Sequence, residues 1–461
     1  MRAIRPTFPV LLAAGLTVAT VGLLAGPPTA SAAVGTPTFT TWVAPSALTD
    51  AANAGEPSLG VNGRTGALMF QANSSTYRVM PNAATGTATW TRVTPPTSLF
   101  NIDPILATDR TTGRTYAGGL NGECSILGSS DDDGASWGQV GNACTGVLDH
   151  ETIGSGPWHG AKPLGATSDR AVYYCAQSGL DACATSGTAG LTFGPPTVVT
   201  GACSSLHGHV KVSNDGTAYL PNAHCGALAG GAISTDNGAS WSSYTVAGSS
   251  EPTDGFDPSV ATTPDNTLYE SWQGADNHPY VALSTTHGSA WTAPVDLGKT
   301  MNPPILSSTF QAVTAGDNGR VAVAYLGSTT GGAAFAPGWK GVWNLYVSYS
   351  YDAGKTWSTV QASPDPVQRG YICSGGTACN EGRNLLDFMD ANVTKDGRVV
   401  VGYADGCIAA CAAAGGTEAQ STSSFATIAY QNGGRSLLVS QDSVTATTLL
   451  SRAGIRHAAQ N

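Results

Sequence analysis

Three things are scarce in this chain: charge, helical periodicity, and apolar runs beyond the N-terminus. Only 11% of its 461 residues are charged, and 21 basic against 31 acidic residues leave a formal charge of −10. A chain of that sign lacks the basic stripe that phosphate backbones require, so nucleic acid is excluded as a partner. No segment sustains the 3.6-residue spacing of an amphipathic helix, which leaves an all-β reading. Past the first 32 residues no stretch is apolar enough to span a bilayer, and no membrane span is expected.

The N-terminus has the three regions of a secretory leader. Arg2 and Arg5 precede an apolar run from Phe8 to Ala25, followed by Ala30-Ser31-Ala32 as a small-residue cleavage site. A signal peptide over 1–32 and a secreted, extracellular protein follow. The 58 glycines and low charge invite a disordered reading, but ten Trp and fifteen Tyr spread along the chain point to a large packed core. Ten cysteines fall in close sequential pairs: Cys124 with Cys144, Cys175 with Cys183, Cys203 with Cys225, Cys373 with Cys379, Cys407 with Cys411. In a chain with a leader these read as five disulfides, each stapling a local loop, although sequence alone does not fix the connectivity.

One pattern recurs: Ser/Thr-x-Asp-x-Gly-x-Ser/Thr-Trp. It is complete from Ser130 to Trp137, from Ser234 to Trp241 and from Ser350 to Trp357. Two copies, Ser186 to Phe193 and Ser284 to Trp291, carry Thr188 and Thr286 where the others have Asp. The motif resembles the Asp box of bacterial sialidases, BNR-repeat proteins and sortilin-like receptors. The carboxylate and hydroxyl suit a tight turn, glycine accepts positive φ, and Trp packs between repeats. These aspartates are read as structural, and the Asp131-Asp132-Asp133 run as a solvated turn rather than a calcium site. The resemblance implies a β-propeller with these turns on the face opposite the active site.

A second periodic signal is a turn leading into a strand, at Thr65-Gly66, Thr112-Gly113, Asp169-Arg170, Asp215-Gly216, Asp265-Asn266, Asn318-Gly319 and Asp396-Gly397. The seven turns predict about seven four-stranded blades in one domain over 33–445, with six as the alternative because sialidases of this superfamily usually have six. The strand Thr36 to Val43 is expected to close the ring, and 446–461 is expected to form a tail.

Just upstream of each turn lies the predicted innermost strand, whose beginning is polar in every repeat: Glu56, Asp103, His150, His209, Asp257, Gln311 and Asp390. These side chains are expected to ring one mouth of the central channel, where crowding of titratable groups shifts pKa values. The second strands are expected to end at the same mouth with His224, Glu270, Trp272, Tyr325, Tyr403 and Asp405. The predicted catalytic set is Glu56, Asp103, His150, His209, Asp257, Asp390 and Tyr403. The predicted substrate contacts are His207, His224, Glu270, Trp272, Gln311, Tyr325, Arg383 and Asp405. His207, His209 and His224 also form a candidate metal set, though the ring reads first as substrate-contacting.

The expected function is a secreted glycoside hydrolase, exo-sialidase-like, that acts as a monomer on extracellular glycan or polysaccharide. No cofactor is required, with Ca2+ or another divalent cation at the channel mouth as the option. Against a true sialidase, the family's Arg-Ile-Pro segment is absent near the mature N-terminus. Only Arg369 and Arg383 stand near the predicted mouth, so a three-arginine carboxylate site has no source. The alternatives are a polysaccharide lyase, with His150, His209 or Tyr403 as base and Arg383 or a cation neutralising a uronic carboxylate, and a non-catalytic propeller that binds glycan or protein.

Overall fold

A computed structural model describes residues 35–82, 85–97, 102–139, 141–146, 149–177, 179–201, 203, 206–250, 256–413 and 420–442. The leader expected over 1–32 and the tail expected over 446–461 lie outside the described residues. The described strands pair into seven antiparallel sheets, each built on a four-stranded path. Their innermost strands are Ser58–Val61, Ile102–Thr108, Asp149–Pro157, Lys211–Val212, Ser259–Thr262, Ser307–Ala315 and Asp390–Val393. Each touches the next around a closed ring, and the seventh returns to the first. The molecule is therefore a seven-bladed β-propeller, and the six-bladed alternative falls.

Closure follows the expected route. Thr38–Val43 is the outermost strand of blade 7, pairing antiparallel with Phe425–Gly433 from the far end of the chain. Joining the termini in one sheet leaves no blade short of a strand and no broken ring edge.

The recurring Ser-x-Asp-x-Gly-x-Ser-Trp segments turn the third strand of a blade toward its fourth. In blade 2, Ser130 Oγ accepts from Gly134 N–H at 2.8 Å, and Asp132 accepts from Ser136 N–H at 2.8 Å and from its hydroxyl at 2.6 Å. Gly134 has φ +80°, and a Cβ there would stand 2.7 Å from Val93. Where Thr replaces Asp, the hydroxyl makes the same bond: Thr192 N–H and Ala290 N–H donate to Thr188 Oγ1 and Thr286 Oγ1, each at 2.8 Å. The tryptophans reach the preceding blade, with Trp137 Nε1 donating to the Val93 carbonyl at 2.6 Å and Trp241 packing edge-on to Tyr173. Asp131 pairs with Arg114 and Asp133 accepts from Asn62, so the acidic run is spent on protein partners.

The core is distributed as one apolar wedge per blade interface, because stacked sheets project alternate side chains sideways into their neighbours. Between blades 6 and 7, for example, Leu345, Val347 and Tyr349 meet Val399, Val401 and Tyr403. All five proposed cysteine pairs are disulfides, and no described cysteine is free. No helix among the described residues is long and apolar enough to cross a membrane.

Candidate active site

Strand beginnings from five blades meet at the axis on the face opposite the repeated turns. Glu56, Asp103 and His150 reach this point through left-handed backbone, with φ of 53°, 55° and 52°. Asp103 and His150 sit at register shifts of their strands, as bulged residues that re-aim their side chains. Non-glycine residues in this conformation cost of order 1 kcal/mol or more each and concentrate at functional sites.

His150 is the hub. Its Nε2 lies 3.0 Å and 3.1 Å from the two carboxylate oxygens of Asp257, and its backbone N–H donates to Asp103 Oδ2 at 2.8 Å. Burial alone would push the imidazole toward neutrality, but Asp257, Asp103 and Asp387 together outweigh it and hold His150 well above its usual value. Asp257, buried, is pushed up to about 6, partly offset by His150. The pair is thus a desolvated ion pair at neutral pH. His207 packs edge-on to His150 at 5.3 Å, and burial followed by the His150 charge drops it to about 3, which leaves it neutral.

Beside this hub sit two carboxyls pushed in opposite directions. Burial, then Asp387 and Asp103, raises Glu56 well above the carboxylate range, while Asp387 is held low because Arg383 overcomes its burial. Glu56 accordingly carries the proton and donates it in a hydrogen bond to ionised Asp387, which also binds the Arg383 guanidinium through both oxygens. Burial and Asp103 likewise raise Glu151, whose Oε1 accepts from Ser125.

His209 and Asp390 lie deeper on the axis, 3.8 Å apart, beneath the ring of Phe388, which packs edge-on to both His209 (4.6 Å) and His150 (6.2 Å). Of the remaining predicted contacts, Gln311 is buried and donates to Ser308 Oγ at 3.1 Å, and His224 is half-buried. Asp405 accepts from Cys407 N–H, and burial pushes it up to about 7. Arg369 donates to the Cys411 carbonyl.

Four residues are placed elsewhere. Glu270 and Trp272 project into the wedge between blades 4 and 5, Tyr325 into that between blades 5 and 6, and Tyr403 into that between blades 6 and 7. The physical reason is the period-2 geometry of a strand: residues 268, 270 and 272 share one face, which is an interface face.

Asp387 and an aromatic train were not foreseen. Phe256, beside Asp257, packs against Phe310 and Phe335, and Phe335 continues to Trp343 and Trp339. Phe335 and Trp339 are half-buried, so this insertion in blade 6 carries ring surface toward solvent near the axial cluster. The Arg383-x-x-x-Asp387 spacing was the only available sequence signal for Asp387. Among the described residues, the one group of three or more histidine, cysteine or carboxylate ligand atoms that all lie within 4.8 Å of one another is Asp276, His278 and Asp296 on the rim of blade 5.

No family model and no curated protein matches this sequence. Among solved structures, the chain is similar to a protein of unknown function from Dyadobacter fermentans (12% identity, TM-score 0.43, 84% of this chain and 96% of that chain). It is also similar to a GH74 enzyme of Niastella koreensis (17%, TM-score 0.45, 76% of this chain and 51% of that one). A third is the fucose-binding lectin of Aleuria aurantia (16%, TM-score 0.40, 66% and 93%). The blade count above rests on the strand pairing alone.

Proposed function

We propose that this protein is exported and hydrolyses glycosidic bonds of extracellular carbohydrate at the axial cluster. The observation that carries the reading is the split pair: Glu56 held protonated and Asp387 held ionised, in contact, at one mouth of the propeller. Hydrolysis needs an acid that keeps its proton at neutral pH and a carboxylate that has lost it. Glu56 donates to the departing sugar oxygen. Asp103, oriented by the His150 amide, takes the proton of the attacking water. Asp387 and Arg383 keep Glu56 in its acid form, and the His150–Asp257 ion pair fixes the geometry. The half-buried Phe335 and Trp339 rings offer a stacking surface for sugar. Five disulfides suit an oxidising compartment, and the Asp-box resemblance supports the carbohydrate class.

The lyase alternative loses support because the Arg383 guanidinium, needed to neutralise a uronic carboxylate, is already taken by Asp387. The test is a glycan panel with reducing-sugar release as readout. Glu56→Gln should lower turnover by about 10²-fold or more, and Asp387→Asn should narrow the pH range of activity. Binding without release, an unsaturated uronide product absorbing in the ultraviolet, or full turnover by Glu56→Gln would each overturn the assignment.

A further inference from the structure

The axis has a second opening, on the face of the inner hairpin turns. A channel of about 580 Å3 runs inward from there, past Arg110, Lys211 and Arg170, to a floor at His209 and Asp390 beneath Phe388. Its residues differ from those of the proposed hydrolytic site, and no Phe, Tyr or Trp lines it.

Hydrogen-bond accounting in this channel does not close. Asp109 is consumed by the Arg170 guanidinium and the Ser155 hydroxyl. The Asp390 oxygens accept from Leu59 N–H at 3.2 Å and Ala391 N–H at 2.9 Å. Asp317, whose charge Arg110 feels, accepts from Val439 N–H. Three nitrogen donors remain. Arg110 gives Nη2 to the Thr394 carbonyl, but its Nε is buried with no acceptor. His209 Nε2 is buried with no partner, and its Nδ1 is too far from Asp390 for a hydrogen bond. Lys211 lines the channel close enough to act on His209 and Asp390, yet has no ion-pair partner among the described residues. A buried donor left without an acceptor destabilises the fold, and natural structures leave few of them. Gathering Arg110 and Lys211, neither in an ion pair among the described residues, with a neutral imidazole in one cavity of a chain with net charge −10 is the arrangement of an anion site.

The volume admits a small molecule. Thr108, Ser155, Thr262 and Thr314 also line the channel, and their hydroxyls suit a hydroxylated ligand. The absence of rings removes the stacking that a closed sugar uses. We infer that the channel binds a small open-chain hydroxycarboxylate, its carboxylate held by Lys211 and Arg110 and a hydroxyl by His209.

Calorimetric titration of the purified protein with gluconate, glucose and inorganic phosphate tests this. Gluconate should bind at least about tenfold more tightly than either of the others. Lys211→Met should weaken gluconate about tenfold, with Lys211→Arg restoring most of the affinity. Arg110→Gln should weaken it similarly, which keeps the test intact if the lysine variant fails to fold. No gluconate binding, equal binding of glucose or phosphate, or gluconate affinity indifferent to folded Lys211→Met or Arg110→Gln overturns the inference. Because neither Lys211 nor Arg110 belongs to the acid–base cluster, failure here leaves the hydrolase reading standing, and the reverse also holds.

Discussion

Asp236 offers a way to measure what the repeated turns contribute, because the chain contains its own substitution series. Its carboxylate accepts from Ser234 Oγ at 2.9 Å, from Ser240 N–H at 2.9 Å and from Ser240 Oγ at 2.5 Å. The residue is solvent-exposed, so each bond competes with water and is worth about 0.5 kcal/mol, giving about 1.5 kcal/mol for the three. Asp236→Ala should lose that amount, a fall of about 2 °C in Tm for a domain of this size. Asp236→Thr should lose about half as much. In blades 3 and 5 a threonine hydroxyl at the same place still accepts the N–H four residues on and still meets the serine hydroxyl two residues back. The pH dependence separates the two further. Slight burial raises Asp236, but the Ser240 hydroxyl and amide outweigh it, so its folded pKa lies below the unfolded value. The ionised carboxylate stabilises the fold above the unfolded value, and that share disappears as pH falls through the folded one. Asp236→Thr should show no such acid-limb loss. Urea melts followed by tryptophan fluorescence at pH 7 and pH 3 supply the numbers. Equal destabilisation by Thr and Ala would refute the idea that the hydroxyl substitutes for the carboxylate.

Three further outcomes follow from the same structure. In the pH–rate profile on an accepted glycan, activity should fall as pH rises through the raised value of Glu56, and the limb should vanish in Glu56→Gln; a limb unchanged in that variant removes Glu56 as the acid. Glu270 is fully buried, and burial, only partly offset by the Tyr244 hydroxyl, raises it well above 4.5. The unfolded chain ionises above that value while the native state does not, so this residue should contribute a decline in stability of about 1.4 kcal/mol per pH unit through that interval, and Glu270→Gln should remove that share of the slope in urea melts. Replacing Cys203 and Cys225 with Ser should cost about 3 kcal/mol by chain entropy for the 22-residue separation they close, read from the same melts.

The propeller was legible because its signals are local. A serine, an aspartate and a glycine at fixed offsets close one turn whatever surrounds them, and the inner hairpin turns mark each blade at near-regular spacing. Disulfide partners were legible for the same reason, since sequence separations of 4 to 22 residues bring each pair across one turn or strand pair. Glu270, Trp272, Tyr325 and Tyr403 were read as mouth residues because the sequence shows residue type without showing which way a pleated side chain points. Glu270 lies between Leu268 and Trp272 on an interface face, and the apolar wedge there divides into two clusters around it. Phe335 and Trp339 left no signal because their insertion has no counterpart in other blades.

The aligned ring of strand beginnings is the instructive case, because one alignment leads to two depths. Glu56, Asp103 and His150 take left-handed backbone at the start of their strands, which lifts their side chains to the mouth. Asp390 instead begins its strand in regular pairing with Gly402 and turns its carboxylate to the amide of Leu59 on blade 1. Phe388 fills the step between the two levels, touching His150 above and His209 below. Residues that look equivalent in the repeat therefore face separate compartments with opposite electrostatics. The upper one is crowded with carboxylates around a single imidazolium and an arginine, which favours proton transfer. The lower one keeps Lys211 and Arg110 outside any ion pair among the described residues, beside a neutral imidazole and an Asp390 that burial pushes toward its neutral form, which favours holding an anion. In blades 2 and 3 a bulge residue at the start of the inner strand sends the side chain to the upper compartment, and a repeat alignment cannot show it.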